Sequence, residues 1–403
     1  MAFKFQGVDF IEFDSLLSED ELLVRTNTRS FIEDKLIPII EQCNRDGRFP
    51  RELARPMGEL GFYGATIPEY GCAGMNNVEA GLLYQELERG DSGIRSFVSV
   101  QSALVMHPIY AFGSDEQKNY WLPKLATGEK LGCFGLTEPD FGSNPSGMRT
   151  RARKDGDDYI LNGEKMWITS GSIADVAVIW AKLEEPGVDA SAAADPRDLR
   201  IRGFLVETDR PGFSAKDVHG KWSLRASVTS GLSMQDVRIP AVNLLAKSDG
   251  LKSPLTCLSQ ARYGISWGAI GAAMACYDCA LQYAKQRKQF RNQPIASHQL
   301  VQQKLAWMIT EITKAQLLAL QVGRLKDQGK AAFQHISMAK KNNVGMALEC
   351  ARTARDILGA NGIADDYPIM RHMMNLESVK TYEGTDDIHT LIIGQSITGI
   401  AAY

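Results

Sequence analysis

The sequence predicts a mainly α-helical protein with a central β domain, on three observations. Helical patterns fill residues 15–128. Strand-like alternation and turn signals fill 131–245. Long apolar stripes at helical spacing return after 250. These shifts predict an N-terminal helical domain at 1–130, a middle β domain at 131–245 and a C-terminal helical bundle domain at 246–403. The 403-residue length agrees with two or three domains.

In the first region, Asp20-Glu21-Leu22-Leu23-Val24 puts acidic residues before an apolar run, a helix start. Residues 78–87 form a second helical stretch, which Gly90 and Gly93 then break. In the middle region, Tyr159-Ile160-Leu161 followed by Asn162-Gly163 reads as a strand and a hairpin turn. Residues 174–181, 201–206 and 232–239 read as strands, and Pro240 closes them. The small, polar stretch at 184–196 reads as a mobile surface loop. In the last region, Val301, Leu305, Met308, Ile312, Ala315, Ala319 and Val322 recur at spacings of three and four, a bundle-facing stripe. Residues 263–283 are apolar nearly all round and belong at the centre.

Composition excludes several classes. Hydrophobic residues make up 44% and charged residues 23%, and the net charge is −3 without long single-sign runs. That balance carries no footprint for nucleic acid. No apolar run approaches the roughly 20 residues that span a bilayer, so no membrane insertion is expected. The N-terminus lacks the features of a signal or transit peptide. A bacterial cytoplasmic protein is predicted, or a mitochondrial-matrix one if a presequence has been removed. Seven scattered cysteines do not make a disulfide scaffold. Cys276 and Cys279 fall on one buried helix face, and no metal site is predicted.

The segment Tyr382-Glu383-Gly384-Thr385 places a carboxylate beside glycine in an otherwise helical, apolar region. Glycine lets chain and ligand approach closely. A glutamate there serves as a base if its pocket excludes water and raises its pKa. Upstream stand Leu136-Thr137-Glu138-Pro139, Met166-Trp167-Ile168-Thr169 and Arg287-Lys288-Gln289-Phe290. In order and separation the set resembles the acyl-CoA dehydrogenase family of flavoproteins, over nearly the whole chain. The run Asp91-Ser92-Gly93-Ile94-Arg95-Ser96 narrows the likeness to the family's glutaryl-CoA subgroup. No G-x-G-x-x-G follows a strand, which argues against a nicotinamide enzyme.

The resemblance implies an acyl-CoA dehydrogenase-like fold, with a β-barrel or sandwich in the middle and a C-terminal four-helix bundle, assembled as a homotetramer. It implies FAD as cofactor. Phe134, Leu136 and Thr137 would meet the pyrimidine side of the flavin, and Ser143 the pyrophosphate. Trp167 would cover the ring, with Ile168 and Thr169 near N5. Arg287, Gln289 and Phe290 of a neighbouring subunit would contact the diphosphate and adenine side. The turn containing Asp356 and Gly359 would approach the diphosphate, and Thr385 and Asp387 would close over the cofactor.

For the reaction, the resemblance implies α,β-dehydrogenation of an acyl thioester. Glu383 takes the α-proton, and a backbone N–H of that residue helps polarise the thioester oxygen. Arg95, beside Ser96, would hold the distal carboxylate of glutaryl-CoA, with Glu88 and Tyr382 close by. A cation in an apolar acyl pocket is costly unless an anion meets it. Arg262 resembles the family's contact to coenzyme A. Loss of carbon dioxide to give crotonyl-CoA is expected, with an electron-transferring flavoprotein as acceptor. The rival readings are a glutaryl-CoA dehydrogenase that does not decarboxylate, a dehydrogenase for another short acyl-CoA, an acyl-CoA oxidase (disfavoured by the chain length) and a non-catalytic helical scaffold.

Overall fold

A computed structural model describes residues 3–184 and 200–402. The predicted loop at 184–196 lies, beyond Glu184, outside them. The N-terminal part is helical. Helix α1 (Glu19–Phe31) opens on a capping box: the Ser18 side chain accepts from the Glu21 N–H, and the Glu21 carboxylate accepts from the Ser18 N–H. A wide turn at Ile32–Leu36 carries α1 into α2 (Ile37–Asp46), and α3 spans Ala54–Glu59. Asn76 and Glu79 form a second capping box for α4 (Asn77–Gly90). The predicted break falls on Asp91, which is extended. Gly93 lies inside α5 (Ser92–Ser99), where its N–H donates to the Asp91 carboxylate at 2.7 Å. A wide turn at Val100–Met106 leads into α6 (His107–Phe112), and α7 spans Asp115–Ala126.

The middle part is a seven-stranded sheet. Its strands are β1 (Gly132–Gly135), β2 (Arg151–Asp155), β3 (Asp158–Thr169), β4 (Val176–Glu184), β5 (Ile201–Glu207), β6 (Phe213–Asp217) and β7 (Thr229–Pro240). The order is β1-β4-β2-β3-β7-β6, with β5 antiparallel to β4. Pairs β1–β4 and β2–β4 are parallel. Residues of β1, β3, β4, β5 and β7 share one apolar core, including Cys133, Leu161, Ile179, Phe204 and Val237. The Asn162-Gly163 hairpin prediction is corrected. Strand β3 runs straight through both residues, and the β2–β3 turn lies at 156–157, where Gly156 has φ 59°. The pair forms a bulge opposite β7. The Asn162 amide and Asp236 exchange hydrogen bonds at 2.9 Å, so the turn chemistry of asparagine is spent across the sheet.

The C-terminal part holds α8 (Lys252–Gln286), a small hairpin of β8 (Lys288–Gln289) and β9 (Gln293–Pro294), α9 (Gln299–Asp327), α10 (Phe333–Leu358), α11 (Ile369–Thr381) and α12 (Asp386–Thr398). Residues 261–274 of α8 are all buried, as the all-round apolar pattern predicts. Small residues bring α8 against α4. A Cβ on Gly81 would meet the Trp267 ring at 2.4 Å, and one on Gly271 would meet the Gln85 carbonyl at 1.8 Å. The α9 stripe is buried within the chain, with Met308, Ile312, Ala315 and Ala319 fully covered. It therefore carries no information about a second subunit. Among the described residues no helix is long and apolar enough to cross a membrane, and no cluster of metal-ligand side chains occurs.

Candidate active site

Helices α4, α5, α8, α10 and α11 converge on the turn that links α11 to α12. Glu383 sits there at φ 53° and Gly384 at φ 91°. A non-glycine residue in this left-handed region persists only where its surroundings hold it. The carbonyl oxygens are held. That of Glu383 accepts from Arg262 Nε at 2.7 Å, and those of Tyr382 and Gly384 accept from Lys340 Nζ at 3.1 and 2.8 Å. Thr385 caps α12 by accepting from the Ile388 N–H. Glu383 Oε2 is buried and has no hydrogen-bond partner among the described residues. Burial raises the Glu383 pKa, and the Arg95, Arg262 and Lys340 charges pull against it.

Arg95 is fully buried on α5. Its Nε donates to Glu88 Oε2 at 2.6 Å, and Nη2 donates to the Tyr382 hydroxyl. Ser92 Oγ donates to the other Glu88 oxygen at 2.9 Å. Burial works against the Arg95 charge, but Glu88, with Tyr382 and Glu383, together outweigh it, so its pKa is raised. Arg95 Nη1 is buried with no partner among the described residues. The expectation of an Arg95 charge met only by substrate is thus corrected: Glu88 already neutralises it, and one N–H fork remains open. Ser96 is buried beside it on α5. A second network fixes α5 to α11. Arg371 Nη1 donates to the Gly90 carbonyl at 2.8 Å and to Asp91 Oδ2 at 2.7 Å, and Asn375 also donates to Asp91. The helix carrying Arg95 and the helix leading to Glu383 are therefore tied where α5 begins.

The β domain gathers a second group. Phe134 and Leu136 are buried at and after β1, and Thr137 is half-buried. The Thr137 carbonyl accepts from the Met166 N–H at 2.9 Å. Lys165, fully buried on β3, donates to the Leu136 carbonyl at 3.1 Å and to Glu138 at 2.9 Å. Glu138 in turn accepts from the Arg149 and Thr150 N–H groups. A register shift between Lys165 and Ile168 turns Trp167 outward, at φ 63° and 59% exposed. A bulge that re-aims a side chain is the local reason for that large exposed ring. Ile168 is buried and Thr169 half-buried beside it, while Ser143 is exposed on the loop after β1.

A third group lies at the far end of α8. Arg287, Gln289 and Gly359 line an open cavity of about 330 Å³ with Tyr283 and Asn361. Phe290 is 79% exposed, with its ring edge-on to His298. Gly359 has φ 58°, and Asp356 pairs with Lys304 outside the cavity lining. Asp387 is exposed on α12. Along α8, Arg262 and Gln286 are about 36 Å apart at 1.5 Å per residue. The structure thus brings together Glu88, Arg95, Arg262, Tyr382 and Glu383, and separately the β-domain group. It sets the Arg287 group apart.

Sequence reasoning placed Arg262 at coenzyme A, and the structure places its Nε on the Glu383 carbonyl. It missed Lys340 and Lys165. The signal for Lys340 was its position on the apolar stripe of α10, with Ile336, Val344 and Ala347. For Lys165 it was strand alternation with Tyr159 and Leu161.

Three family models match in chain order: the acyl-CoA dehydrogenase N-terminal domain at 18–129, middle domain at 133–237 and C-terminal domain at 248–398. A probable acyl-CoA dehydrogenase of Bacillus subtilis (strain 168) is 35% identical over 385 residues, 94% of this chain and 98% of that one. A solved glutaryl-CoA dehydrogenase from Mycobacterium smegmatis is 53% identical with a TM-score of 0.92, covering 97% of each chain. A glutaryl-CoA dehydrogenase from the same organism, in complex with FADH2, is 48% identical with a TM-score of 0.94, covering 99% of this chain and 100% of that one. With all three of its domain models matched in order and relatives this similar along nearly its full length, the chain belongs to the acyl-CoA dehydrogenase family.

Proposed function

We propose that this chain binds FAD and dehydrogenates glutaryl-CoA, with loss of carbon dioxide to give crotonyl-CoA. The observation that carries the substrate is a pair of unsatisfied groups close enough for the Arg95 charge to act on the Glu383 carboxyl: Arg95 Nη1 and Glu383 Oε2 are both buried, and neither has a partner among the described residues. Buried polar atoms are normally paired, so each calls for a ligand atom. A five-carbon dicarboxyl thioester offers an anion to the first and an acidic α-hydrogen to the second.

The residues present fit FAD. Trp167 offers a large exposed ring beside the Thr137 segment, and Phe290 offers another beside the Arg287 cavity. A Cβ on Gly359 would meet nothing within 4 Å, so backbone can be approached there. Thr137, Trp167 and Thr169 would hold the ring end, with Phe134, Leu136 and Ile168 as its apolar support. Ser143, Arg287, Gln289, Asp356, Thr385 and Asp387 are proposed for the remainder, and the Arg287 group acts across a homotetramer interface. Bound FAD supplies the acceptor for the β-hydride, and an electron-transferring flavoprotein takes the electrons onward.

Glu383 takes the α-proton onto Oε2. Its backbone N–H donates to the thioester oxygen, where negative charge develops. Arg95, steadied by Glu88 and Tyr382, holds the distal carboxylate through Nη1. In the α,β-unsaturated thioester that carboxylate sits on the γ-carbon. Its C–C bond breaks, carbon dioxide leaves, and the electron pair delocalises into the thioester as a dienolate. Glu383 then returns its proton to carbon. Anaerobic mixing with glutaryl-CoA tests the reading. Flavin bleaching with release of carbon dioxide and crotonyl-CoA is expected. Accumulation of the five-carbon unsaturated product sinks the decarboxylation, and bleaching only by butyryl-CoA sinks the substrate.

A further inference from the structure

Lys340 is buried to 1% exposure on α10 and has no part in the substrate and cofactor contacts proposed above. Its Nζ donates to the carbonyl oxygens of Gly384 at 2.8 Å, Tyr382 at 3.1 Å and Lys380 at 3.4 Å. Those carbonyls belong to the last turn of α11 and to the turn that carries Glu383. An ammonium has three N–H donors. Three acceptors around one nitrogen therefore call for the charged form. The C-terminal end of a helix also favours a cation. Between the two nearest of these carbonyls lies that of Glu383, which Arg262 takes from α8. Three successive carbonyls of a left-handed turn are thus held by two buried cations from two helices.

We propose that Lys340 is a positioning residue for the base: its ammonium clamps the 382–384 turn so that Glu383 faces the substrate, and its charge stands behind the Glu383 carboxylate. The proposal rests on Glu383 being the base. With its donors committed to carbonyl oxygens, Lys340 acts through Glu383 and not on substrate.

Titratable groups reach the base turn from α4, α5, α8, α10 and α12, while α11 runs directly into it at Tyr382. They are Tyr84 on α4, Arg95 on α5, Arg262 on α8, Lys340 on α10, Tyr382 in the turn, and Asp386 and His389 on α12. Burial raises the Glu383 pKa, and Lys340 is one of three cations that oppose the rise. Burial also pulls Lys340 down, to about 7, against the pull of the Glu383 carboxylate. The base works ionised. Removing the Lys340 charge raises the Glu383 pKa further, so the ionised fraction at a given pH falls and the acid limb of the rate profile moves to higher pH.

The test compares Lys340→Met, which removes donors and charge, with Lys340→Gln, which keeps two N–H donors without the charge. Flavin reduction by glutaryl-CoA is followed across pH, with hydrogen–deuterium exchange of the 380–385 backbone. For Lys340→Met a drop of about 10²-fold in kcat with little change in KM is expected, because small misplacement of a reacting group costs that much. Its acid limb should rise and its turn should exchange faster. Lys340→Gln should regain protection of the turn while its acid limb stays high. Acid limbs matching the parent in both variants overturn the proposal. If Lys340→Met does not fold, the acid limb of Lys340→Gln decides. Glu383→Gln runs in parallel, scored by exchange of α-hydrogens in an acyl-CoA analogue that has no β-hydrogen. Exchange persisting in Glu383→Gln removes the base assignment itself. Exchange lost there, with parent-like Lys340 variants, removes only the role of Lys340.

Discussion

Arg95 is already half of a buried ion pair with Glu88, and on the proposed reading that shapes what its loss should do. Arg95→Met leaves Glu88 buried without its cation and leaves the incoming carboxylate without a donor. Truncating one partner of a buried charged pair costs roughly 2–5 kcal/mol, or about 30- to 4000-fold. Glutaryl-CoA should therefore lose far more catalytic efficiency than butyryl-CoA. An unchanged ratio of the two efficiencies would mean that Arg95 does not read the carboxylate. Glu383→Gln keeps the shape and removes the proposed base, so flavin reduction should fall by more than the roughly 10²–10⁴ of an ordinary acid–base contribution. Flavin content should stay near that of the parent, and near-normal bleaching would contradict the assignment. Glu383, Tyr382 and Arg95 could be picked out in the sequence as candidates because short glycine-bearing segments surround them, and the fold brings the three together. Lys340 could not, because its partners are carbonyl oxygens, which leave no mark on residue identity. Arg262 was a candidate in the sequence, but not as a support for the 382–384 turn, since only the fold brings α8 under residue 383.

The helices owe their contact to what the glycines lack. A Cβ on Gly268 would stand 2.1 Å from Glu88 Oε2 and 3.2 Å from Arg95 Nε, and one on Gly271 would strike the α4 backbone. Two single substitutions should consequently separate. Gly271→Ala must push α8 off α4, and overpacking of this kind costs typically 1–3 kcal/mol. Thermal unfolding should show the loss. Gly268→Ala displaces the carboxylate that steadies Arg95, so it should lower efficiency for glutaryl-CoA more than for butyryl-CoA. Equal losses for both substrates would argue against that link. Helix existence was readable at this scale, because α9 carries a long regular apolar stripe and α8 a long stretch apolar nearly all round. Strands were read less completely. Short β1, β2 and β6 have too few alternations to stand out, and Asn162-Gly163 carried turn chemistry that the sheet uses for a bulge.

At the scale of the molecule, the helical, β, helical order followed from the shifts in periodicity alone, whereas sharing of sites between subunits did not. The α9 stripe faces the bundle and is satisfied inside the chain, so it does not argue for a second subunit. What supports sharing is distance: α8 carries Arg262 near the base turn, and Arg287 follows its last residue about 36 Å of helix away. On the proposed tetramer, dilution should release subunits and FAD together, and flavin fluorescence should rise over the same concentration range in which light scattering records dissociation. A monomer that keeps FAD tightly would contradict the arrangement. The geometry of α8 has a genetic consequence. If every cavity takes its base from one polypeptide and its Arg287 group from another, a lesion in either is complemented by an intact copy next door. Co-expressed Glu383→Gln and Arg287→Ala chains, each inactive or weak alone, should form mixed assemblies with some undamaged cavities and regain part of the activity.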